Sequence, residues 1–149
     1  MTLDTILVAV GQNDDPLDAL VETVIELAVP IDATVELLHV YSQDEFETAR
    51  AELDFEGTPP SPNEVAKRYR TSRDIAAELA ESTVETNTYG VVGDYAGKIL
   101  SMAIDLDADR IVLGGSGRSP TGKAVFGSTA QSVLLNSPCP VTYVGRDVN

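Results

Sequence analysis

Short apolar stretches alternate along the chain with segments in which apolar residues recur at helical spacing. Continuous apolar runs, such as the one ending at Val10, are typical of strands that helices cover on both faces of a sheet. After residue 82, polar and apolar residues alternate, which indicates a strand close to a sheet edge. The pattern predicts five strands: Thr5–Val10, Thr34–Val40, Thr83–Tyr89, Arg110–Leu113 and Val141–Val144.

Four helices are predicted between these strands. The first covers 17–28, the second 63–81, the third starts at Gly93 and Asp94, and the fourth runs from Ser128 to about Leu135. The segment 42–63 is acidic and then proline-rich, and it is predicted to be a mobile loop that can include one helical turn. Five strands alternating with four helices predict one domain over residues 1–149, built as an open α/β sheet with parallel crossovers.

Composition narrows the class of partner. The 149 residues include 24 acidic and 10 basic side chains, which give a formal net charge of −14. This balance argues against nucleic acid and against anionic membrane surfaces as partners, because both require a basic face. Acidic residues spread over a folded chain with few lysines favour a halophilic surface suited to high salt. The alternative is an ordinary acidic protein.

Cellular location and cysteine chemistry are also constrained. The chain has no run of about 18 apolar residues, and its first residues lack the basic region of a signal peptide. We therefore expect a cytoplasmic protein without a membrane partner. The single cysteine, Cys139, excludes an internal disulfide and a cysteine metal cluster, and it is expected to be a small half-buried residue before the last strand.

Glycines cluster directly after the fourth strand. Gly114, Gly115 and Gly117 follow it, and a loop then leads to Gly127 and Ser128, where the last helix is predicted to begin. A strand, a glycine loop and a helix N-terminus form a geometry suited to phosphate, because glycines allow close backbone approach and the first helical N–H groups have no partner. The alternative is a loop that needs its glycines only to turn.

Two familiar nucleotide motifs nearly match this loop and are rejected. The run from Gly117 to Lys123 has P-loop spacing, but Ala124 stands where the magnesium-binding hydroxyl belongs, and the following helix starts too late. The dinucleotide fingerprint fails because Pro120 replaces its third glycine. Arg118 and Lys123 either meet phosphate as exposed charges or are solvated loop cations.

Three other candidates favour structural interpretations. Ser128 and Gln131 fit a capping box, which would not exclude phosphate at the adjacent N–H groups. His39 lies on a predicted strand and is expected to be structural, since no catalytic set can be assembled around it. Asp14, Asp15 and Asp18 lack the spacing of a calcium loop, so a solvated helix start is preferred to a cation site.

Over nearly its whole length the chain resembles the universal stress protein family. The resemblance includes the first apolar strand, Leu37–Val40, the run Ala108–Gly114 and the segment from Ser137 to Val141. Its most specific part is the ATP-binding pattern G-x2-G-x9-G-[S/T] of that family. Here Gly114 and Gly117 are followed by nine residues and then by Gly127 and Ser128.

The resemblance implies a Rossmann-like sheet of the adenine nucleotide alpha hydrolase type, with strand order 3-2-1-4-5 and helices on both faces. Strands 1 and 4 then lie side by side where the winding reverses, which is where such sheets bind ligands. The position usually held by an adenosine-binding aspartate is Gly11 here, with Gln12, Asn13 or Asp14 as substitutes; a histidine is frequent at Ser116. The implied nucleotide-binding residues are Ala9, Val10, Gly11, Val40, Leu113, Gly114, Ser116, Gly117, Arg118, Gly127, Ser128 and Thr129.

The resemblance also implies a function. We expect a cytoplasmic stress-response protein that binds ATP, with Mg²⁺ or Mn²⁺ held through the phosphates, and acts as a nucleotide-dependent regulator or sensor. The resemblance further implies a homodimer through the last strand, at Val141, Thr142, Tyr143 and Val144. No general base or activated nucleophile is found near the loop. A slow ATPase and a dimeric interaction module that binds no nucleotide remain the alternatives.

Overall fold

A computed structural model describes residues 3–10, 17–114 and 127–144. All strand pairings in the sheet are parallel, and the strands follow the order β3-β2-β1-β4-β5. The predicted fold class and strand order are therefore confirmed. The strands are β1 (Thr5–Val10), β2 (Thr34–Tyr41), β3 (Thr86–Val92), β4 (Arg110–Gly114) and β5 (Val141–Val144).

Helices cover both faces of this sheet, as predicted. On the first face, α1 and α4 pack through residues such as Val24 and Leu79 against Ile6 and Val8 of β1. On the second face, α5 and α6 pack over β1, β2 and β4. The described helices are α1 (Leu17–Ala28), α2 (Gln43–Ala51), α3 (Pro62–Arg68), α4 (Arg70–Glu81), α5 (Tyr95–Asp105) and α6 (Ser128–Asn136).

The central strands are buried because both of their faces are covered. Ile6 and Val8 contribute to the first face, while Leu7 belongs to the cluster on the second face, and all three side chains are fully buried. Each such aliphatic side chain contributes roughly 1.5–3 kcal/mol to folding. This two-sided burial explains why β1 and β4 are continuous apolar runs instead of alternating ones.

The predicted loop over 42–63 was wrong in its first half. Residues Gln43–Ala51 form α2, which begins with a capping box: the Ser42 hydroxyl accepts the Glu45 N–H, and the Glu45 carboxylate accepts the Ser42 N–H. Phe46 and Ala49, three positions apart, face a small cluster around Tyr41. The acidic composition concealed a short helix that buries only these two positions.

The predicted helix over 63–81 is two helices. Tyr69 separates α3 from α4 because its backbone is extended, with φ −66° and ψ 133°. The break turns the ring of Tyr69 toward His39, whose ring centre lies 5.2 Å away in an edge-to-face contact.

The third strand lies three residues later than the predicted Thr83–Tyr89. Thr83 has the left-handed φ of 63°, and the Val84 N–H donates to the Leu79 carbonyl at 3.0 Å. Residues 83–85 therefore belong to the connection that follows α4, and the strand starts at Thr86. Its predicted position at a sheet edge is confirmed.

Candidate functional site

The winding of the sheet reverses between β1 and β4. The helix that follows β1 lies on the first face and the helix that follows β4 lies on the second, so the carboxyl ends of the two strands border a crevice. Ala9 and Leu113 are register partners at that end of the strand pair. The topology thus places the end of β1 beside the end of β4, whose last residue is Gly114.

Three of the predicted site residues converge on the second face. Ala9, Val40 and Leu113 belong to one apolar cluster and are 5%, 2% and 5% exposed. They form an apolar floor at the carboxyl edge, bordered by Ala130 near the start of α6. The side chain of Val10 packs in the cluster on the opposite face, so only its backbone can contribute at this edge.

Gly114, the last residue of β4, and Gly127, before α6, are not required by packing among the described residues. A Cβ atom added to Gly114 or to Gly127 would meet no atom of the described residues within 4 Å. By contrast, a Cβ at Gly90 would lie 2.0 Å from the Pro62 carbonyl oxygen, so packing forbids any side chain there. Glycine at these two positions is compatible with close approach of a ligand to the backbone.

The N-terminus of α6 has no side-chain cap. Gly127 is the N-cap residue, with the extended angles φ −65° and ψ 164°, and its carbonyl accepts the Gln131 N–H at 3.0 Å. The predicted capping box at Ser128 is therefore wrong, since Ser128 is already the first helical residue. The N–H groups of Ser128 and Thr129 precede the first helical hydrogen bond, at the positive end of the helix dipole.

Several predicted site residues lie outside the described residues: Gly11, Ser116, Gly117 and Arg118, together with Lys123 and the carboxylates of Asp14 and Asp15. Within the described part of the chain, no group of three or more His, Cys, Asp or Glu side chains is placed to hold a metal ion. In the same ranges, no helix is long and apolar enough to cross a membrane.

A side-chain contact joins α2 and α5 at the carboxyl edge of the sheet, beside this floor. This contact was not predicted from the sequence. The Tyr95 ring packs against the cluster that holds Val40, and its hydroxyl donates to Glu45 Oε1. The same oxygen accepts the Ser42 N–H at 2.7 Å. The spacing of Ser42 and Glu45 was a usable signal for the capping box, but the partner of Glu45 lies 50 positions away.

Burial and hydrogen bonding together set the pKa values of the two groups in this contact. Burial opposes ionisation of Glu45, but the bonds from Ser42 and Tyr95 outweigh it and lower the pKa of this carboxyl. Burial, followed by the bond to Glu45, raises the pKa of the Tyr95 phenol. The pair is therefore a carboxylate held by a neutral phenol near neutral pH, and neither group is free to act as a base.

His39 lies in the core on the first face, away from the floor. It is fully buried, its Nδ1 is 3.0 Å from the Ser72 hydroxyl, and its ring stacks on Tyr41 with centres 4.0 Å apart. Burial lowers its pKa to about 4, against a smaller raising effect of Glu45. This environment agrees with the structural role expected for the only histidine of the chain.

An open parallel sheet with a glycine-flanked helix N-terminus at its switch point defines a class of α/β proteins that bind ligands at the carboxyl edge. The sequence model of the universal stress protein family matches residues 2–145. The chain belongs to this family. It is 31% identical, over 93% of its length and 96% of the relative, to a universal stress protein from Mycolicibacterium smegmatis.

Solved structures share the fold. A universal stress protein from Archaeoglobus fulgidus is 24% identical, with a TM-score of 0.70 over 95% of this chain and 98% of that one. A structure of the A. fulgidus protein in complex with dAMP is 20% identical, with a TM-score of 0.64 over 96% and 98%. Further matched family structures were solved in complex with cAMP and with AMP bound. Adenine nucleotides thus occur in several structural neighbours of this chain.

Proposed function

We propose that this protein is a cytoplasmic stress-response regulator that binds ATP between β1 and β4, in the glycine loop that leads to α6. The observation that carries the proposal is that none of the described residues packs over the backbone of Gly114 or Gly127, next to a helix N-terminus that has no side-chain cap among them. Packing among the described residues requires neither glycine, so a ligand that needs close backbone approach accounts for both. The nucleotides bound by structural neighbours supply the chemical class.

The surroundings of the site suit the two halves of such a ligand. The apolar floor of Ala9, Val40 and Leu113 offers the base a dry surface. The first N–H groups of α6 point where phosphate oxygens would accept, and the helix dipole adds about 0.3–1 kcal/mol. Gly11, Ser116, Gly117 and Arg118 complete the proposed site from the sequence pattern, with Mg²⁺ or Mn²⁺ held through the phosphates.

We propose a sensor in preference to an efficient enzyme. Two ionisable groups near the floor, Glu45 and Tyr95, are bonded to each other, so neither is poised to activate a water molecule. A slow ATPase would require a base from the residues beyond those described, and phosphate release measured under saturating ATP separates the two roles.

Calorimetric titration of MgATP into glycine variants tests the binding site. Gly114→Val together with Gly127→Val fills the open space and removes backbone donors from reach while leaving the core unchanged. Charge-assisted hydrogen bonds contribute roughly 1.5–3 kcal/mol each, so we expect binding to weaken about a hundredfold or more. Gly57→Val is the control: it adds the same side chain in open space between α2 and α3.

The control separates a loss of stability from a loss of the site. Gly57 has φ +78°, so valine there strains the backbone by about 1–2 kcal/mol, yet nucleotide affinity should not change. Equal MgATP affinity in the wild type and in the double glycine variant would reject the proposed backbone site.

Gly11 favours a second candidate, a dimeric interaction module that binds no nucleotide. The family resemblance places an adenosine-binding aspartate at this position, and glycine offers no side-chain acceptor. If the module is correct, wild type shows no MgATP binding while Gly11→Asp acquires it. Binding by wild type at the glycine loop decides for the nucleotide sensor.

We also propose that β5 pairs with its copy in a homodimer. β5 is an edge strand, and the Ile111 N–H donates to the Pro140 carbonyl at 3.0 Å. A parallel ladder then directs the Thr142 backbone toward β4 and the backbones of Val141 and Tyr143 away from it. Of the predicted interface residues, Val141 therefore directs its backbone pairing groups toward an added strand.

A further inference from the structure

A polar groove runs beside β3, at the sheet edge opposite β5. Asn63 and Lys67 of α3 and Arg73 of α4 form one wall, and the amino half of β3, including Thr86 and Thr88, forms the other. Its cavity volume is about 570 Å³. We call it the β3-edge groove. It lies two strands away from β1 and is separate from the proposed nucleotide site.

The backbone of β3 presents pairing groups to this groove. The Val35 N–H donates to the Glu85 carbonyl at 2.8 Å, and the Gly93 N–H donates to the Tyr41 carbonyl at 2.9 Å. The backbone N–H and C=O groups of the odd-numbered β3 residues therefore pair with β2. The backbone N–H and C=O groups of the even-numbered Thr86 and Thr88 point outward from the sheet edge. Outward groups on an edge strand are a template for a further strand.

Further along β3 the edge is closed. The outward N–H of Gly90 donates to the Asn63 side-chain oxygen at 2.9 Å, and the backbone of Pro62 lies directly against Gly90. An added strand can therefore pair only with the amino half of β3, which is the part that borders the groove.

The groove also carries a charge opposite to that of the whole protein. Four of the ten basic residues of the chain, Lys67, Arg68, Arg70 and Arg73, fall within residues 67–73, although the net charge is −14. Of these four, Lys67 and Arg73 line the β3-edge groove, whereas Arg68 and Arg70 line other depressions of the surface.

Nearby carboxylates leave these two cations available. Asp74 is 3.8 Å from the Arg73 guanidinium, but both side chains are more than half exposed, and such pairs contribute little. Glu64, one helical turn before Lys67, is engaged by the N–H and the hydroxyl of Ser61. Lys67 and Arg73 thus remain able to pair with incoming carboxylates.

We propose that the β3-edge groove docks an acidic, extended segment of a partner protein, which adds as a strand to Thr86–Thr88 and places carboxylates against Lys67 and Arg73. Charge complementarity selects this occupant, because the groove is the basic patch of an acidic chain and backbone pairing favours an extended polypeptide. Docking at this edge leaves both β5 and the nucleotide site uncovered.

Selection from a displayed library of random dodecapeptides tests the proposal, with the full-length protein as bait at an ionic strength of about 0.15 M, where the Debye length is about 8 Å. Selected peptides should be acidic, and their affinities can be measured by fluorescence anisotropy. Lys67→Glu together with Arg73→Glu should weaken binding by about tenfold or more. Arg68→Glu together with Arg70→Glu is the matched control, since it changes the net charge equally outside the groove, and it should leave binding within about twofold.

A backbone variant tests strand addition independently of charge. Thr88→Pro removes one outward N–H without touching the ladder to β2, which an edge strand tolerates, and it should also weaken binding by about tenfold. If this variant fails to fold, the two charge reversals still decide. Equal effects of those reversals, or selection of only neutral or basic peptides, would overturn the proposal. Inorganic phosphate that displaces the peptide completely, or self-association through the groove, would also overturn it.

Discussion

The two edges of this sheet differ in chemistry and in how they are covered. At β3, two threonines and then Gly90 direct their backbone groups outward, and the Gly90 N–H donates to the Asn63 side-chain oxygen. At β5, the strand consists of Val141, Thr142, Tyr143 and Val144, and the Arg110 guanidinium donates to the Thr142 hydroxyl at 3.1 Å. The β3 edge is thus polar, half closed and bordered by basic side chains, whereas the β5 edge is apolar.

The difference fits the separate partners that we propose for the two edges. An apolar strand with β-branched and aromatic residues suits pairing with an identical strand, as proposed for β5. A short polar template next to Lys67 and Arg73 suits an acidic chain of different sequence. Closure of β3 at Gly90 also keeps that edge from pairing along its full length, which protects it from indiscriminate aggregation.

The largest expected loss of stability comes from displacing α3 from the closed part of the β3 edge. In Gly90→Val, the new Cβ would lie 2.0 Å from the Pro62 oxygen and 2.9 Å from the Ala66 Cβ, so α3 must move. We expect a loss of about 3 kcal/mol or more in the free energy of unfolding, measured by urea denaturation. Gly114→Ala is the control and should be neutral or slightly stabilising, because its Cβ meets no atom of the described residues within 4 Å. Equal midpoints for the two variants would mean that α3 does not seal this edge.

Proline substitutions separate folding from pairing at β5. Thr142→Pro removes an N–H that faces β4 and should destabilise the fold by about 2–3 kcal/mol. Val141→Pro removes an outward N–H, so it should leave the fold intact and dissociate the dimer. Sedimentation and thermal melting check the two outcomes. A Val141→Pro protein that remains dimeric would contradict pairing through β5.

A smaller effect is expected on acidification, and it should weaken the β3 side first. His39 pairs in register with Gly90, and burial lowers its pKa to about 4 from an ordinary value of 6.5. Below pH 6.5, His39 therefore binds a proton in the unfolded chain but stays neutral in the folded chain until the pH approaches 4. The free energy of unfolding falls as the pH drops through this range. At pH 5 the loss is about 2 kcal/mol.

The variant His39→Phe keeps a ring against Tyr41 but cannot titrate, so its stability should stay level between pH 6.5 and 5. In wild type, hydrogen exchange should report faster opening of β3 amides than of β5 amides over the same window. Glu45 and Glu64 have lowered pKa values, so their contributions are lost only at lower pH. Parallel pH profiles for wild type and variant would exclude His39 as the cause.

Patterns with one dominant cause were predictable from the sequence. The bounds of β1 and β5 matched the prediction because burial or flanking prolines define them. The strand order followed from the family resemblance, and it brought Ala9, Val40 and Leu113 together on one face.

Features that depend on competing local choices were not predictable. The capping box at Ser42 is real, while the similar pattern at Ser128 is not, because Gly127 takes the extended N-cap conformation there. The start of β3 was misplaced because Thr83 adopts a left-handed conformation that the strand pattern does not reveal. The bond from Tyr95 to Glu45 joins distant positions, so only the folded chain displays it.

Successive residues of β5 alternate in orientation, and this limits which insertions and deletions the protein can accept. A single-residue insertion or deletion in the short connection between α6 and β5 would exchange the inward and outward residues of the strand. Val144 would leave the core, and the pairing groups of Val141 would turn toward β4. The segment between α2 and α3 has no strand register to keep, and most of its residues are exposed. Length variation among descendants of this chain should therefore accumulate between α2 and α3, while the spacing before β5 stays fixed.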